Sequence, residues 1–551
     1  MSASSVQGRS APVWVAILSI AAIVLIGYAF MLGNFFTGTD SLTLIETSRI
    51  ESIGDIGRIL AEPLMGSSKF LEVAKFYRPV SSFSYSIDNV IWGLDPFGFQ
   101  LSNVLMHMLT SILVFVLMRE LSGRNTLFSW LSAALFAAHP VLIESVPAID
   151  RRHDILATFF LLASLIAFLM GRSNTTRPRF LLGLSVLSYL IALGAKETAI
   201  VLPGLIFCYA LVFETGDVRN RFSASVRAFL PFAVSTLLYL VWRVYVLGGL
   251  GGYHDPHPAT LWELLCYMAN VVQAYGRDLV YPVDFLNLLG DDGPYNLTPC
   301  VILYAAAYSL AYVRCLKTWR TGDGKLVLFL VVWTLAPLAV FLGTMTFAHR
   351  SMYLPAAPFC ALAVLPVVDG IERLSTWVAS RRRHRKRADG MLAGIRASVH
   401  ASTGIVVLGL ALPVSLIAFS PLFQQYEHWA DSARISRLFL ERLSEGTATL
   451  SGSNAIHIYN LPDRILSHLE RVPHAREVTY LQHYSIKSWL NMKHPGNRMR
   501  VVIHTRSCPQ TFSGDLDVSI RFVGEAQVWA LVQLDRQSFD FAPLYVRQGN
   551  R

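Results

Sequence analysis

The sequence predicts a polytopic α-helical membrane protein with a small soluble α/β domain after the last span. Hydrophobic residues make up 53% of the 551 residues and charged residues only 15%, whereas a soluble domain carries about 25% charged residues. The mean hydropathy of the chain is +0.44. Apolar runs long enough to cross a bilayer recur between polar segments, so these runs are expected to lie in lipid.

The apolar runs define the individual spans, because about 20 residues are needed to cross the hydrocarbon core. We expect about 11 crossings, near residues 12–33, 100–119, 126–145, 154–171, 180–195, 198–214, 228–248, 298–314, 326–346, 354–372 and 401–423. The first run is too long for a signal-peptide core and is expected to be a retained signal anchor. Residues 261–281 are also apolar, but a crossing there would break the alternation of loop charges. We interpret them as a re-entrant or interfacial helix.

Basic residues set the predicted orientation. They fall in alternate loops and are densest at residues 381–387, RRRHRKR. Under the positive-inside rule these loops and the N-terminus are cytoplasmic, and the C-terminal tail is periplasmic or otherwise extracytoplasmic. The protein is therefore expected in the cytoplasmic (inner) membrane. The net charge is +10, but the densest basic run lies between two spans. This argues against a nucleic-acid partner and leaves anionic lipid headgroups as an alternative ligand of that run.

Two domains follow from this organisation. Residues 1–423, including the outer loop 34–99, form the membrane domain, and residues 424–551 form the small domain. In the tail, residues 426–443 have helical spacing, and the segments with strand composition are 455–459, 499–504, 517–523 and 527–534. The six cysteines show no Cys/His spacing typical of a metal site.

Charged side chains cluster on one side of the predicted membrane domain. The stretch 139–154, HPVLIESVPAIDRRHD, lies between apolar segments, where such charge is costly unless it lines a wet cavity or binds a ligand. The charged residues at outer span ends or in outer loops are Asp40, Arg78, Glu144, Arg152, Asp154, Lys196, Glu197 and Arg350. They predict one outward cavity for an anionic ligand, in which a carboxylate could take a proton from a hydroxyl. The alternative for the stretch is an ordinary interfacial loop whose charges anchor two helix ends.

Several stretches resemble the GT-C integral-membrane glycosyltransferases, most closely the transmembrane O-mannosyltransferases that carry tetratricopeptide repeats. They are Asp40 shortly after the first span, FYRPVSSFSYSID at 76–88, FGFQLSNVLMHML at 97–109, LFAAHPVLIESVPAIDRRHDIL at 135–156, AKETAIVLP at 195–203, YLVWRVYVLGG at 239–249 and HRSMYLP at 349–355. The stretches occur in the family's order. No repeat at a fixed period is found in this chain, which leaves the acceptor open between a protein, a lipid and a glycan.

The resemblance implies a GT-C-like fold and the transfer of a sugar from a polyprenyl-phosphate carrier to an acceptor hydroxyl at the outer membrane face, with inversion. Asp40 occupies the place of the family's catalytic carboxylate and is expected to be the general base. The expected donor-binding residues are Arg78, Glu144, Arg152, Asp154, Lys196, Glu197, Arg350 and Tyr353. Among these, Arg152 and Asp154 match the family's arginine–x–aspartate element. Thr39 stands where relatives often have a second acid, so no metal or other cofactor is expected to be required; a divalent metal is the weaker alternative.

The candidates also have structural alternatives. Asp40 could be a helix-end cap or a turn aspartate, and Arg78 could pair with Asp88 or another loop acid. Lys196 and Glu197 could form a buried ion pair, while Asp154 could simply orient Arg152. Tyr353 could belong to the interfacial aromatic belt.

Two other classes of function remain open. A transporter or flippase of lipid-linked sugars would carry polar residues through the membrane midplane and repeats between its halves; the sequence shows neither. A non-catalytic assembly scaffold would use the outer tail as its binding module. Asp40 and the basic cluster favour the enzyme.

Overall fold

The computed structural model of the chain describes residues 13–36, 39–72, 74–123, 125–139, 141–142, 145–173, 176–253, 260–280, 322–344 and 349–365. It also describes residues 367–368, 377, 430, 433, 436–437, 439–441, 443–445, 455–459, 483–495, 500–504, 516–523, 528–535 and 538–545. Helices dominate the first group of residues, and the strands of a five-stranded sheet lie in the second.

Most of the described part of residues 1–423 is helical. In chain order the helices are α1 (Val13–Tyr28), α2 (Ser41–Thr47), α3 (Ile53–Ala61), α4 (Pro79–Trp92), α5 (Pro96–Leu121), α6 (Thr126–Ala137), α7 (Arg152–Ser173), α8 (Pro178–Ala195), α9 (Leu202–Phe213), α10 (Val218–Leu247), α11 (Leu261–Val280), α12 (Gly322–Thr344) and α13 (Arg350–Leu365). Helices α4, α5 and α8 begin with proline, whose fixed φ suits the first turn. Asp95 and Asn125 cap α5 and α6, since each side chain accepts a backbone N–H.

Six of the described helical segments are long and apolar enough to cross a membrane. They are Val13–Met31, Pro96–Leu121, Ile149–Ser173, Pro178–Ala195, Val218–Leu247 and Gly324–Gly343. Shorter apolar helices occupy three more expected spans, at Thr126–Ala137, Glu197–Phe213 and Arg350–Leu365. The expected spans at 298–314 and 401–423 lie outside the described residues, so the total of about 11 crossings stays a prediction.

Helices α6 and α11 can be compared with the segments that the sequence predicted at 126–145 and 261–281. Helix α6 ends at Ala137 rather than near residue 145, because the chain turns at Ala138 and His139 and proline follows at position 140, without an N–H to continue the helix. Helix α11 covers the segment predicted to be re-entrant or interfacial. How α11 meets the membrane stays a prediction.

The helices pack into one apolar core through small polar residues as well as large apolar ones. Helix α7 lies along α8, and the hydroxyls of Ser164 and Ser185 each donate to the other residue's carbonyl oxygen at 2.7 Å. Such small residues let two backbones approach closely and satisfy their own polar groups within the helix pair. The largest fully buried side chains of the core include Trp333, Phe115 and Phe232.

The outer loop carries α2, α3 and α4, and a strand pair and a tail helix are among its contacts with the rest of the protein. Strand β1 (Ala74–Lys75) pairs antiparallel with β2 (Gly252–Tyr253), which follows α10. A helix from the tail, α14 (His483–Lys493), packs against α2. Trp489 of α14 shares an apolar cluster with Phe35 and Leu42 of the outer loop. The segment just beyond the first span is therefore enclosed from both sides.

The described tail contains the four expected strands and one more. The strands are β3 (Ala455–Tyr459), β4 (Arg500–His504), β5 (Leu516–Val523), β6 (Val528–Asp535) and β7 (Ser538–Tyr545), in the sheet order β4-β3-β5-β6-β7. Strand β3 pairs in parallel with β4 and β5, and the last three strands are antiparallel. The sequence did not predict β7. That residues 424–551 form a separate soluble domain stays a prediction.

Candidate active site

Asp40 lies at the N-terminal end of α2, where the outer loop turns back. Its backbone carbonyl accepts the N–H of Leu44 at 2.8 Å, but its side chain makes no capping hydrogen bond. The Oδ1 atom instead accepts the hydroxyl of Tyr484 at 2.8 Å, and the backbone N–H donates to Oδ2 of Asp150 at 3.4 Å. The carboxylate is therefore oriented toward other segments of the chain and does not cap its own helix.

The surroundings of Asp40 make it a stronger base than an ordinary aspartate. The pKa of its carboxyl is raised to about 6, chiefly by burial and then by the negative charge of Asp150. The hydrogen bond from Tyr484 and the positive charges of Arg151 and Arg350 act in the opposite direction. A carboxyl with this pKa is mostly ionised at neutral pH and accepts a proton more readily than one of pKa near 4.

The positive charges of two arginines, Arg151 and Arg350, act on the carboxylate. Arg151 is buried and its Nε lies 3.4 Å from Oδ1 of Asp150. Arg350 is half-buried, donates from Nη2 to the hydroxyl of Tyr253 at 3.2 Å, and accepts the hydroxyl of Ser145 at its backbone carbonyl at 3.2 Å. The cationic side of the site thus comes from two segments far apart in the chain.

Arg78 is engaged by a carboxylate from the far end of α8. Its Nη2 and Nε donate to the two oxygens of Glu197 at 2.6 and 3.2 Å, which is bidentate geometry. Arg243 of α10 lies 3.7 Å from the same carboxylate and donates to Leu250 and Tyr239. Asp88, named as an alternative loop partner of Arg78, pairs with Arg152 instead.

Lys196 and Asp154 form a second buried pair. The lysine Nζ lies 2.5 Å from Oδ1 of Asp154, and Nε2 of His153 lies 3.2 Å from Oδ2. The alternative in which Lys196 pairs with Glu197 is therefore wrong. Lys196 binds Asp154 of α7, and Glu197 binds Arg78 at the start of α4. The pair of Lys196 and Asp154 joins α7 to the end of α8.

Arg152 is held by α4 and α5 rather than by Asp154. It is 2% exposed, its Nη1 lies 2.5 Å from Oδ2 of Asp88, and its Nε donates to Asn103 at 2.6 Å. Further hydrogen bonds go to the carbonyls of Ser84 and Phe99. These contacts indicate a structural clamp; the expected contact of Arg152 with a phosphate stays a prediction.

Tyr353 is fully buried in the helical core. Its hydroxyl lies 2.7 Å from Nδ1 of His107, whose Nε2 lies 3.1 Å from the carbonyl of Ala137. Its ring packs edge-on against Phe136. This environment differs from an interfacial belt, and the expected contact with a donor sugar stays a prediction. Glu144 lies outside the described residues.

Sequence reasoning passed over two aromatic residues of the site. Tyr484 belongs to the tail, more than 400 positions from Asp40, and Tyr253 follows α10. A lone tyrosine in a polar segment carries no periodicity or motif that distinguishes it. Asp150 and Arg151 were visible in the charged stretch 139–154, but the resemblance pointed to Arg152 and Asp154 instead.

The described part of the chain was compared with the ligand sets that metal ions require. No group of three or more His, Cys, Asp or Glu residues that could hold a metal ion is found among the described residues. The expectation that no metal or cofactor is required stays a prediction.

The described helices define an integral, multi-pass membrane protein with one carboxylate site beyond its first apolar helix. The site is bounded by the segment after α6, by the start of α13 and by a helix of the tail. This combination describes a class of protein and does not by itself name a reaction.

Comparison with known sequences gives relatives that are named protein O-mannosyl-transferases. No protein-family model matches the chain. The chain is 23% identical to the protein O-mannosyl-transferase TMTC1 of Homo sapiens over 352 residues, which are 55% of this chain and 39% of the relative. It is 27% identical to the protein O-mannosyl-transferase TMTC4 of Mus musculus over 408 residues, 64% of this chain and 55% of the relative. The expected resemblance to the transmembrane O-mannosyltransferases is confirmed, and the chain spans less than two thirds of these relatives' length.

Comparison with solved structures also gives matches, with TM-scores below 0.5. ArnT from Cupriavidus metallidurans bound to undecaprenyl phosphate matches with a TM-score of 0.46 and 13% identity, over 89% of this chain and 86% of that chain. The oligosaccharyltransferase of Archaeoglobus fulgidus in the apo form matches with a TM-score of 0.45 and 13% identity, over 88% and 64% of the two chains.

Proposed function

We propose that the protein is a membrane glycosyltransferase that moves a sugar from a polyprenyl-phosphate carrier to a hydroxyl of an acceptor protein at the extracytoplasmic membrane face. The name shared by the relatives supports sugar transfer to protein. The observation that carries the proposal is the carboxylate of Asp40, which is held by Tyr484 beside Asp150 and has a raised pKa under the positive charges of Arg151 and Arg350. A base beside cations is the pairing that transfer from a phosphate ester requires.

In the proposed reaction Asp40 takes the proton of the acceptor hydroxyl. The hydroxyl oxygen attacks the anomeric carbon, and the bond from that carbon to the phosphate oxygen breaks with its electron pair staying on the phosphate. Attack opposite the leaving group inverts the anomeric carbon. The proton remains on Asp40 until solvent removes it, and the released polyprenyl phosphate is the second product.

Arg350 and Arg151 are the proposed phosphate ligands. Both act electrostatically on Asp40, so a phosphate between them would leave on the side of the site where positive charge is fixed. Arg78, Arg152 and Lys196 are bound to carboxylates of neighbouring helices. We assign those three cations to the frame that holds the site rather than to the donor.

The test is transfer by the purified full chain with labelled polyprenyl-phosphate sugars and serine- or threonine-containing peptides. The Asp40→Asn variant should lose at least about 100-fold in rate, since a positioned base contributes roughly 10²–10⁴-fold, while it still binds the donor. Asp95→Asn is the matched control, because asparagine caps a helix as well as aspartate does. Equal rates in wild type and Asp40→Asn would remove Asp40 from the mechanism. Transfer only to lipid or glycan acceptors would replace the protein acceptor.

A further inference from the structure

The tail helix α14 lies along α2 with one continuous polar and aromatic face. Ser488 donates to the hydroxyl of Thr43 at 3.0 Å, and Asn491 donates to the carboxylate of Glu46 at 2.7 Å. Tyr484, Ser488 and Asn491 are four and three positions apart, which puts them on one side of the helix. Helix α14 is therefore docked on the candidate site in a fixed register.

Apolar contacts hold the same helix in place. The ring of Trp489 packs edge-on against Phe35 at 5.4 Å between centroids. Its Nε1 donates to the carbonyl of Leu440 at 3.0 Å and lies 2.7 Å from the hydroxyl of Ser444. The Trp489 side chain is buried, so α14 is anchored against the outer loop.

The first turn of α14 brings Tyr484 to the reactive carboxylate. Its hydroxyl donates to Oδ1 of Asp40 at 2.8 Å, and its ring packs edge-on against Phe70. Burial, followed by the negative charge of Asp40, raises the pKa of the Tyr484 hydroxyl far above its usual range. The hydroxyl therefore keeps its proton at every working pH and remains a donor.

We propose that Tyr484 is a positioning residue for Asp40: its hydroxyl fixes Oδ1 and keeps the carboxylate ionised, so that Oδ2 is left to accept the acceptor's proton. The hydrogen bond from Tyr484 is made to Oδ1 of Asp40. The inference rests on the proposed function for the identity of the acceptor, but the contact between the two side chains does not. It makes the tail a part of the reaction site rather than only a module that selects acceptors.

Other charged groups near Asp40 act with or against this hydrogen bond. Asp150 favours the protonated carboxyl, whereas Arg151 and Arg350 favour the ionised one, as Tyr484 does. Loss of the Tyr484 hydroxyl leaves burial and Asp150 opposed by the two arginines alone. The carboxyl should then release its proton at higher pH, by about one unit for a hydrogen bond to a charged group.

The experiment titrates Asp40 directly in the purified full chain. A hydrophobic carbodiimide reacts with protonated carboxyls, and peptide mass spectrometry reports labelling of Asp40 as a function of pH. The labelling midpoint should rise by about one pH unit in Tyr484→Phe. The acid limb of the pH–rate profile should move to higher pH by the same amount. Tyr245→Phe, an exposed tyrosine on α10, should keep the wild-type midpoint.

The outcomes separate this inference from the proposed function. An unchanged midpoint in Tyr484→Phe, or an equal rise in Tyr245→Phe, would overturn it even in an active transferase. Absence of transfer in wild type would overturn the proposed function and leave the titration valid. Difluorotyrosine at position 484 keeps the ring and donates more strongly, so it should lower the midpoint. That substitution decides the matter if Tyr484→Phe does not fold.

Discussion

At the scale of single residues, Asp40 is placed under opposing influences that set its basicity. Burial and Asp150 make the carboxylate costly, and Arg151, Arg350 and the hydroxyl of Tyr484 offset that cost. A carboxylate stabilised too strongly would be a weak base, and one without cations nearby would keep its proton to higher pH. The observed balance gives a group that is ionised but reactive under ordinary conditions.

This balance predicts the acid limb of the reaction. Because the pKa of Asp40 is about 6, the fraction of ionised base falls tenfold for each pH unit well below that value, and the transfer rate at low donor concentration should fall with it. In Asp150→Asn a charge that raises the pKa is removed, so the limb should move to lower pH. A pH–rate series on both proteins measures the shift. A limb unaffected by Asp150→Asn would contradict the electrostatic account.

Arg350 should contribute to donor affinity. Removing a guanidinium that binds phosphate costs a charge-assisted contact, so Arg350→Ala should weaken donor binding about 10- to 100-fold, and Arg350→Lys should restore part of it. Binding is measured by titration of the purified protein with a fluorescent polyprenyl-phosphate sugar. Arg172→Ala is the control, since Arg172 pairs with Glu214 at the opposite end of α7. An equal loss in both variants would mean that the effect is not local.

At the scale of elements, buried ion pairs hold the helix ends that carry the site. Arg152 joins the start of α7 to Asp88 of α4 and Asn103 of α5. Lys196 and Asp154 join the end of α8 to α7 in the same way. Such pairs give little net stability compared with apolar residues, but breaking one leaves a buried charge without a partner. Their role is therefore to fix which helix ends meet.

The clamp predicts that Arg152 acts on folding more than on the donor. Arg152→Met leaves Asp88 buried without its partner and should cost about 3–5 kcal/mol in the free energy of unfolding. The double variant Arg152→Met with Asp88→Asn should recover part of that loss. Chemical unfolding in detergent measures both, and donor titration on the folded fraction should give the wild-type affinity. A stable Arg152→Met protein with weakened donor binding would return Arg152 to the phosphate site.

The features that the sequence predicted well are those that depend on residues close together in the chain. Apolar length located α5, α7 and α8 to within a few residues, and strand composition located β3 without error, because both depend on neighbours in the chain. Partner choice depends on how distant segments pack. The pairing of Arg78 with Glu197 and the contact of Tyr484 with Asp40 join positions that no period connects.

At the scale of the whole molecule, the candidate site is assembled from segments that the sequence separates widely. The outer loop supplies Asp40, the charged stretch before α7 supplies Asp150 and Arg151, and the start of α13 supplies Arg350. The tail supplies Tyr484. A site with this origin exists only in the folded chain, which is why the resemblance could propose its members but not their contacts.

Contact between the tail and the outer loop constrains the topology of the whole chain. Tyr484 and Asp40 touch, so the tail and the loop after α1 must lie on the same side of the membrane. The positive-inside rule assigns the basic loop at 381–387 to the other side. In a cysteine-free background, Gly549→Cys should react with a membrane-impermeant maleimide in intact cells, and Ala388→Cys only after permeabilisation. The reverse pattern would put the proposed site in the cytoplasm, where a donor displayed at the outer face could not reach Asp40.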